Sequence, residues 1–365
     1  MMSKPLIGIL AHRTNKTFMN GGFLHDLVRE GEKLNSQVVV FSHLDLIEKD
    51  KKIHGFTRSP SNRWKMNIYP YPDVVIDFCR YLKKPFRDMR RRKDLFTYAN
   101  HKFTYKWKAT RLFSKSEKVK QWIPETLLYT PQNLRDMIRK HPILYIKPGN
   151  GTGGHSVVKL SRKSGTFHIK GRKKSARLTH IVLPSEDSAV RWLNSWVSTQ
   201  RIRTGNFMIQ QGLNLELIPG RVLDARLIIQ KNERGGWEVT GKGMRVSAKN
   251  SPTTNLVHGD GKALRFEPFM IQRFGPEKAK QISRECDQMA MKLMEVIEER
   301  YGSMVEFGLD VGVDVKGNVW LIEANPKPSH TIFLGTKEMG LYRKSIQRPI
   351  QYAAYLAKTK FENGS

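Results

Sequence analysis

VEFGLDVGVDVKGNVWLIEANPKP, residues 305–328, alternates with a period of two on both sides of Lys316-Gly317. Phe307, Leu309, Val311, Val313 and Val315 fall on one face of the first arm, and Trp320, Ile322 and Ala324 are apolar in the second. Alternation broken by a glycine that can take positive φ reads as a β-hairpin. With Lys316 and Gly317 as the two turn residues, counting back along both arms sets Asp310 opposite Glu323. Opposed residues have Cβ atoms about 5 Å apart. Asn325, two residues beyond Glu323, points to the same side. One face of the hairpin is then apolar and the other carries two carboxylates and a carboxamide oxygen. Two carboxylates that close repel unless positive charge lies between them. Hard oxygen ligands of this kind suit Mg2+, which commonly binds through one or two carboxylates and the phosphates of a substrate. The alternative is a surface hairpin with solvated acids, and a nucleotide site elsewhere in the chain is what separates the two readings.

A phosphate site is legible upstream. The apolar run 143–146 ends in Lys147-Pro148, followed by Gly149-Asn150-Gly151-Thr152-Gly153-Gly154-His155-Ser156 and then the strand-like Val157-Val158-Lys159-Leu160. Backbone N–H groups of such a loop can approach an anion without Cβ atoms in the way. This is not a Walker loop, because the lysine precedes the glycines and no helix follows. Lys147, ending the strand before the loop, would place a point charge on the same phosphates. A flexible hairpin turn is the alternative.

The remaining elements fall in order around these two. Residues 4–95 read as a small α/β unit: strands at 5–10, 38–41 and 74–78, an amphipathic helix at 23–34, and short strands at 52–57 and 64–68. The opening lacks G-x-G-x-x-G and is not a dinucleotide-binding unit. A lysine-rich helix is expected over 102–114. Residues 206–211 (NFMIQQ) form an apolar strand, read as a sheet edge whose free backbone groups suit an adenine ring. Residues 222–230 alternate, with Asp224 and Arg226 on the polar face; Arg226 either contacts a phosphate or pairs with Asp224. The strand at 237–246 ends at Arg245, and a loop at 251–262 carries Asn255. Helices at 276–300 and 341–357 flank the hairpin, and the methionines of the first read as core filler.

Composition bounds the class. The chain has 365 residues, 39% hydrophobic and 10% aromatic, enough for two or three globular domains. It has no apolar run long enough to span a bilayer and no secretory signal pattern, so a cytoplasmic location is expected. Cys79 and Cys286 read as separate buried thiols. The charge is unusual: 64 Lys and Arg against 33 Asp and Glu, net +31. Residues 80–120 hold fifteen of those cations and three acids, densest over Arg87–Lys93. Such a surface suits an acidic protein or other polyanion. Nucleic acid is disfavoured, because neither zinc-finger spacing nor an RNA-recognition aromatic signature occurs.

From about 100 to 329 the order of pieces resembles the ATP-grasp superfamily: a lysine helix, a strand-lysine-glycine loop, a hinge strand, an Asp-x-Arg strand and a carboxylate hairpin ending Glu-x-Asn. More narrowly, HKFTYKWKA, IPET, YIKPGNGTGGHSV, IQQGLNL, LDARLIIQK and IEANPKPS are similar to the YheC/YheD family of endospore coat-associated proteins. The resemblance implies an α/β class of fold, with a pre-ATP-grasp domain at 1–98 and an ATP-grasp domain at 99–360. The latter would divide into a glycine-loop lobe at about 125–211 and a carboxylate-hairpin lobe at about 212–360. It implies ATP and Mg2+ as cofactors. Lys106 and Lys147 would meet the nucleotide phosphates, covered by Gly151, Thr152, Gly153, Gly154 and Ser156. Gln210, Gln211 and Leu213 would form the adenine hinge, although many relatives in the superfamily carry a Glu there. Glu216 is the candidate for the ribose. Asp310, Glu323 and Asn325 would hold Mg2+, and Arg226, Arg245 and Asn255 would face the transferred phosphate or the acceptor. The activity implied is carboxylate–amine ligation through an acylphosphate, on an amino acid, peptide or acidic protein, with association to the spore coat. A kinase on the same scaffold and a non-catalytic basic coat protein are the rivals.

Overall fold

Three sheets, each built around one of the apolar runs, organise the chain. The computed structural model describes residues 4–363 apart from 16, 60–62, 82, 93, 151–155, 173–177, 201–205 and 250–260. In the first sheet Leu6–Leu10 lies between Gln37–Phe41 and Val74–Asp77, parallel to both. These three strands are apolar on both faces because helices cover them. Helix Gly21–Lys33 buries Leu24, Leu27 and Val28 against them. Lys52–Arg58 and Trp64–Pro70 add an antiparallel extension. The last helix, Met339–Asn363, packs on this unit through Ile346, Ile350 and Ala353. It also crosses the third sheet, where the Ser345 carbonyl accepts from Gln230 at 2.8 Å. Both cysteines are free and buried.

The second sheet is antiparallel, in the order Leu178–Leu183, Thr166–Arg172, Val158–Lys163, Ile143–Pro148, Phe207–Gln211, Thr126–Leu128. Leu144, Ile146, Val158, Leu160, Phe207 and Ile209 face helices Pro131–Lys140 and Glu186–Thr199. The opposite face carries Tyr145 and Lys147, two residues apart on one strand, and Lys159 in register with Tyr145 on the next. The expectation of a free edge at residues 206–211 is corrected. Phe207–Gln211 is paired on both sides, and its neighbour Thr126–Leu128 takes the outer position.

The third sheet runs Lys262–Arg265, Trp237–Val246, Leu223–Lys231, Glu306–Val313, Val319–Asn325, antiparallel throughout. Leu223, Ala225, Leu227, Phe307, Leu309 and Val311 bury against helix Pro276–Tyr301, which contributes Met289 and Met294 as core residues. Met291 on the same helix is exposed. The hairpin closes differently from the two-residue turn expected. Val313 pairs with Val319, so residues 314–318 form a five-residue loop. The Asp314 carboxylate gathers it, accepting from the N–H groups of Lys316 and Asn318 and from Trp320 Nε1. Gly317 takes φ 83°, the conformation for which glycine was expected there. A bulge at Ile322 then shifts the register by one: Val311 pairs with Leu321, but Asp310 pairs with Glu323.

Candidate active site

Charged side chains form a row across the polar face of the third sheet. Asp224 stands in register with Arg245, Arg226 with Asp310, and Asp310 with Glu323. Arg245 donates Nε and Nη2 to the two oxygens of Asp224 at 2.6 and 2.7 Å, and Nη2 lies 3.0 Å from Asp310 Oδ2. Arg226 donates Nε to Asp310 Oδ1 at 2.8 Å. The pair left open by the sequence, Arg226 with Asp224, does not form. Same-side neighbours on one strand are roughly 7 Å apart, whereas register partners are nearer and already hold opposite charges. Burial pushes the Asp310 carboxyl up, but Arg226 and Arg245 outweigh it and hold the group below the usual carboxylate range. Gly308 makes room for Arg226. A Cβ there would lie 3.1 Å from Arg226 Nη1 and 2.6 Å from Pro328 Cβ.

Two lysines approach the row from the other side of a hollow. Helix Lys106–Lys115 begins four residues later than expected. Phe103 instead stacks edge-on against Tyr301 and Phe307 in the core. The helix start is tied to the glycine-rich segment, since Trp107 N–H donates to Gly149 O at 3.1 Å and Gly149 N–H to Asn206 O at 2.7 Å. Lys106 Nζ lies 2.9 Å from Glu323 Oε2. Lys147 Nζ donates to Gln210 Oε1 at 2.6 Å. Burial first, and then the charge of Lys106, lower the Lys147 ammonium to about 8; Glu323 and Asp310 act against the shift. Lys106, Lys147, Gln210 and Glu323 line one hollow whose apolar walls include Phe113, Met208 and Ile322.

The other expected site residues are placed as follows. Gln210 is buried, its amide nitrogen donating to Thr126 Oγ1 at 3.0 Å. Gln211 Oε1 accepts from Glu125 N–H at 3.2 Å. The two glutamine side chains therefore hold the strand and Lys147. Leu213 follows the strand and approaches Gly312 of the hairpin. Glu216 is exposed on the loop beyond, accepting from Gly220 N–H at 2.6 Å. Ser156 donates its hydroxyl to Gln200 at 2.9 Å. Asn325 faces Gly308 across the hairpin, two register positions from Asp310 and Glu323. Gly151, Thr152, Gly153, Gly154 and Asn255 lie outside the described residues. Asp310, Glu323 and Asn325 fit a magnesium site by the chemistry of their donors, all hard oxygens within two register positions of one another.

One cluster had no signal in the sequence. Asp77, at the end of Val74–Asp77, accepts from Arg90 Nε at 2.7 Å and lies 2.9 Å from Lys327 Nζ. Burial raises the Asp77 carboxyl, and Lys327 and Arg90 together bring it below its ordinary value. Lys327 also donates to Cys79 O at 2.8 Å, and Arg80 Nη2 to Lys327 O at 2.5 Å. The exit of the hairpin is thereby fastened to the first sheet. The same contacts divide the basic segment. Arg90 is half-buried in this cluster, Arg92 bonds Glu48 and Asp94, and Lys118 pairs with Glu295 and Glu299. Lys83, Lys84, Arg87 and Arg91 stay exposed.

The family model for the YheC/D-like ATP-grasp domain matches residues 95–356. Endospore coat-associated protein YheD of Bacillus subtilis (strain 168) is 26% identical over 345 residues, covering 92% of this chain and 74% of the relative. YheC of the same strain is 23% identical over 322 residues, covering 85% of each. Among solved structures, the D-alanine–D-alanine ligase of Coxiella burnetii superposes with TM-score 0.53 at 9% identity, covering 99% of this chain and 98% of that one. The VanG D-Ala:D-Ser ligase of Enterococcus faecalis superposes with TM-score 0.55 at 11% identity, covering 96% and 99%. At such identities these ligases show a shared fold. With the family model spanning most of its length, the chain belongs to the YheC/D-like ATP-grasp family.

Proposed function

We propose that this protein is a Mg-ATP-dependent carboxylate–amine ligase. The observation that supports this reading most is the meeting of Lys106, Lys147 and Glu323 around one hollow, with Asp310 in register opposite Glu323. Lys106 and Lys147 bind and orient the nucleotide phosphates. Asp310, Glu323 and Asn325 would hold the metal, which when bound supplies charge neutralisation on those phosphates. An acceptor carboxylate oxygen attacks the γ-phosphorus as the bond to ADP breaks. An amine nitrogen then attacks the acyl carbon, phosphate leaves, and the nitrogen gives up a proton. Arg226 and Arg245 keep Asp310 ionised and in place, and the donors that Arg226 does not spend on Asp310 face the acceptor. The proposed division is a first domain at 1–98 and the grasp at 99–360. The acceptor class is an amino acid, peptide or acidic protein, and the names of the relatives suggest the spore coat as its setting.

The test is an ADP-release screen against amino acids and acidic peptides, with and without amines, using an Asp310→Asn, Glu323→Gln double variant as the blank. Release that needs both a carboxylate and an amine supports ligation. Phosphorylated product with no amine requirement would make it a kinase. Failure to bind Mg-ATP in calorimetry would make it a non-catalytic scaffold.

A further inference from the structure

The first sheet has a topological switch point. From Leu6–Leu10 the chain moves to Gln37–Phe41 on one side and later returns to Val74–Asp77 on the other. In open α/β sheets, ligands bind outside the carboxyl ends of the strands at such a point. Here those ends are Leu10 and Asp77, which stand in register, and the chain continues from Asp77 to Arg80. The exit of the carboxylate hairpin closes over the crevice. Lys327 is held by Asp77 and Cys79, and Arg80 donates to the Lys327 carbonyl. Arg226 arrives from the third sheet, with its Nη1 and Pro328 packed together against Gly308. Two guanidinium groups therefore flank the Lys327-Pro328 peptide, one from each domain.

Two of the carboxylates around them are engaged elsewhere. Asp77 is taken by Arg90 and Lys327, and Asp310 by Arg226 and Arg245. Glu306 is buried with Gln230 and His330 on its Oε2, while its Oε1 has no hydrogen-bond partner among the described residues and its charge acts on Arg80 without a direct ion pair. Among the described residues Arg80 makes no ion pair, and Arg226 spends only Nε on Asp310. Planar guanidinium forks with unused donors at a ligand crevice match a carboxylate. Gly308, where Arg226 passes, is two strand positions from Asp310, roughly 7 Å.

We infer that Arg80 and Arg226 form a clamp for a second acidic group of the acceptor, so that the substrate class is a diacid. One carboxylate is presented to the nucleotide beside Asp310 and Glu323, and the other is held at the switch point. The first half rests on the ligase reading above; the clamp does not.

Titration calorimetry of the full chain separates the two. The probes are N-acetyl-L-glutamate and its mono-amide isostere N-acetyl-L-glutamine, with and without Mg-ADP. The wild type is expected to bind the diacid at least about tenfold tighter than the amide. Arg80→Met brings that ratio close to one, and Arg80→Lys, which keeps the charge without the fork, gives an intermediate ratio. A wild-type protein without the preference, or an Arg80→Met protein of unchanged thermal midpoint that retains it in full, overturns the clamp. Should Arg80→Met not fold, Arg80→Lys decides: a ratio equal to wild type overturns the clamp and a reduced one supports it. A diacid preference in a chain that does not bind Mg-ADP supports the clamp and overturns the ligase reading.

Discussion

Asp310 and Glu323 stand directly opposite each other on neighbouring strands, yet they are neutralised by different elements. Asp310 takes Arg226 and Arg245 from its own sheet, and Glu323 takes Lys106 from a helix across the hollow. Their substitution is therefore expected to have different consequences. Asp310→Asn leaves two buried guanidinium groups without their shared anion and costs about 3–5 kcal/mol of stability. Glu323→Gln breaks an ion pair about a quarter exposed on both sides, 27% for Lys106 and 22% for Glu323, and costs about 1 kcal/mol or less. Both lower ADP release, by on the order of a hundredfold. Chemical denaturation beside the ADP assay checks this; equal stability losses would contradict it.

Lys147 makes nucleotide binding depend on pH. Its folded value, about 8, lies below the ordinary lysine value. The unfolded chain therefore holds a proton that the folded chain releases, and this group alone makes stability rise with pH from about 8 to about 10.5. Phosphates placed beside it raise its pKa again. Mg-ATP binding at pH 8 is then expected to take up protons, with much less uptake at pH 6.5, and affinity should fall above pH 8. Calorimetry in buffers of different ionisation enthalpy measures the uptake. Lys147→Met abolishes the difference between the two pH values; uptake that persists in that variant assigns it to another group.

The hairpin loop is held by one carboxylate. Asp314→Ala removes the acceptor of two backbone N–H groups and of the Trp320 indole. Stability is expected to fall by about 2 kcal/mol. The loop lies far along the strands from Asp310, so nucleotide affinity measured below the melting transition should stay within about twofold of wild type. A larger affinity loss would mean that the loop sets the register at Asp310.

The basic segment contains two kinds of arginine. Arg90 neutralises buried Asp77, so Arg90→Gln destabilises the fold by about 3 kcal/mol. Arg87 and Arg91 are exposed on helix Lys84–Arg91, and Arg87→Gln with Arg91→Gln leaves the melting point unchanged. If this face binds a polyanion, the double variant weakens heparin retention and flattens its salt dependence. Identical salt slopes would remove this surface from consideration.

Part of the site was legible because its cause is local. Alternation places Phe307, Leu309 and Val311 on one face and Asp310 on the other whatever the loop does, since side chains in a strand point to alternate sides. Lys147 follows from its position at the end of an apolar strand. The facing of Asp310 and Glu323 emerged from the sequence through a turn that does not form. The five-residue loop alone would set Asp310 opposite Ile322, and the Ile322 bulge moves Glu323 there instead. Alternation shows neither loop length nor bulges, and here the two offset one another.

From its sequence alone this chain is determined to have an apolar-backed carboxylate hairpin, a lysine before a glycine-rich loop, and the order of pieces that marks its family. These depend on periodicity, glycine freedom and spacing along one strand. Only the tertiary structure decided the partners. Arg226 prefers Asp310 to Asp224, Lys106 crosses the hollow to Glu323, Gln210 turns to Lys147, and Lys327 is fastened to Asp77 on another sheet. Each of these contacts joins residues far apart in sequence. Which of several nearby charges a buried group takes depends on strand register and domain packing, neither of which has a local signature.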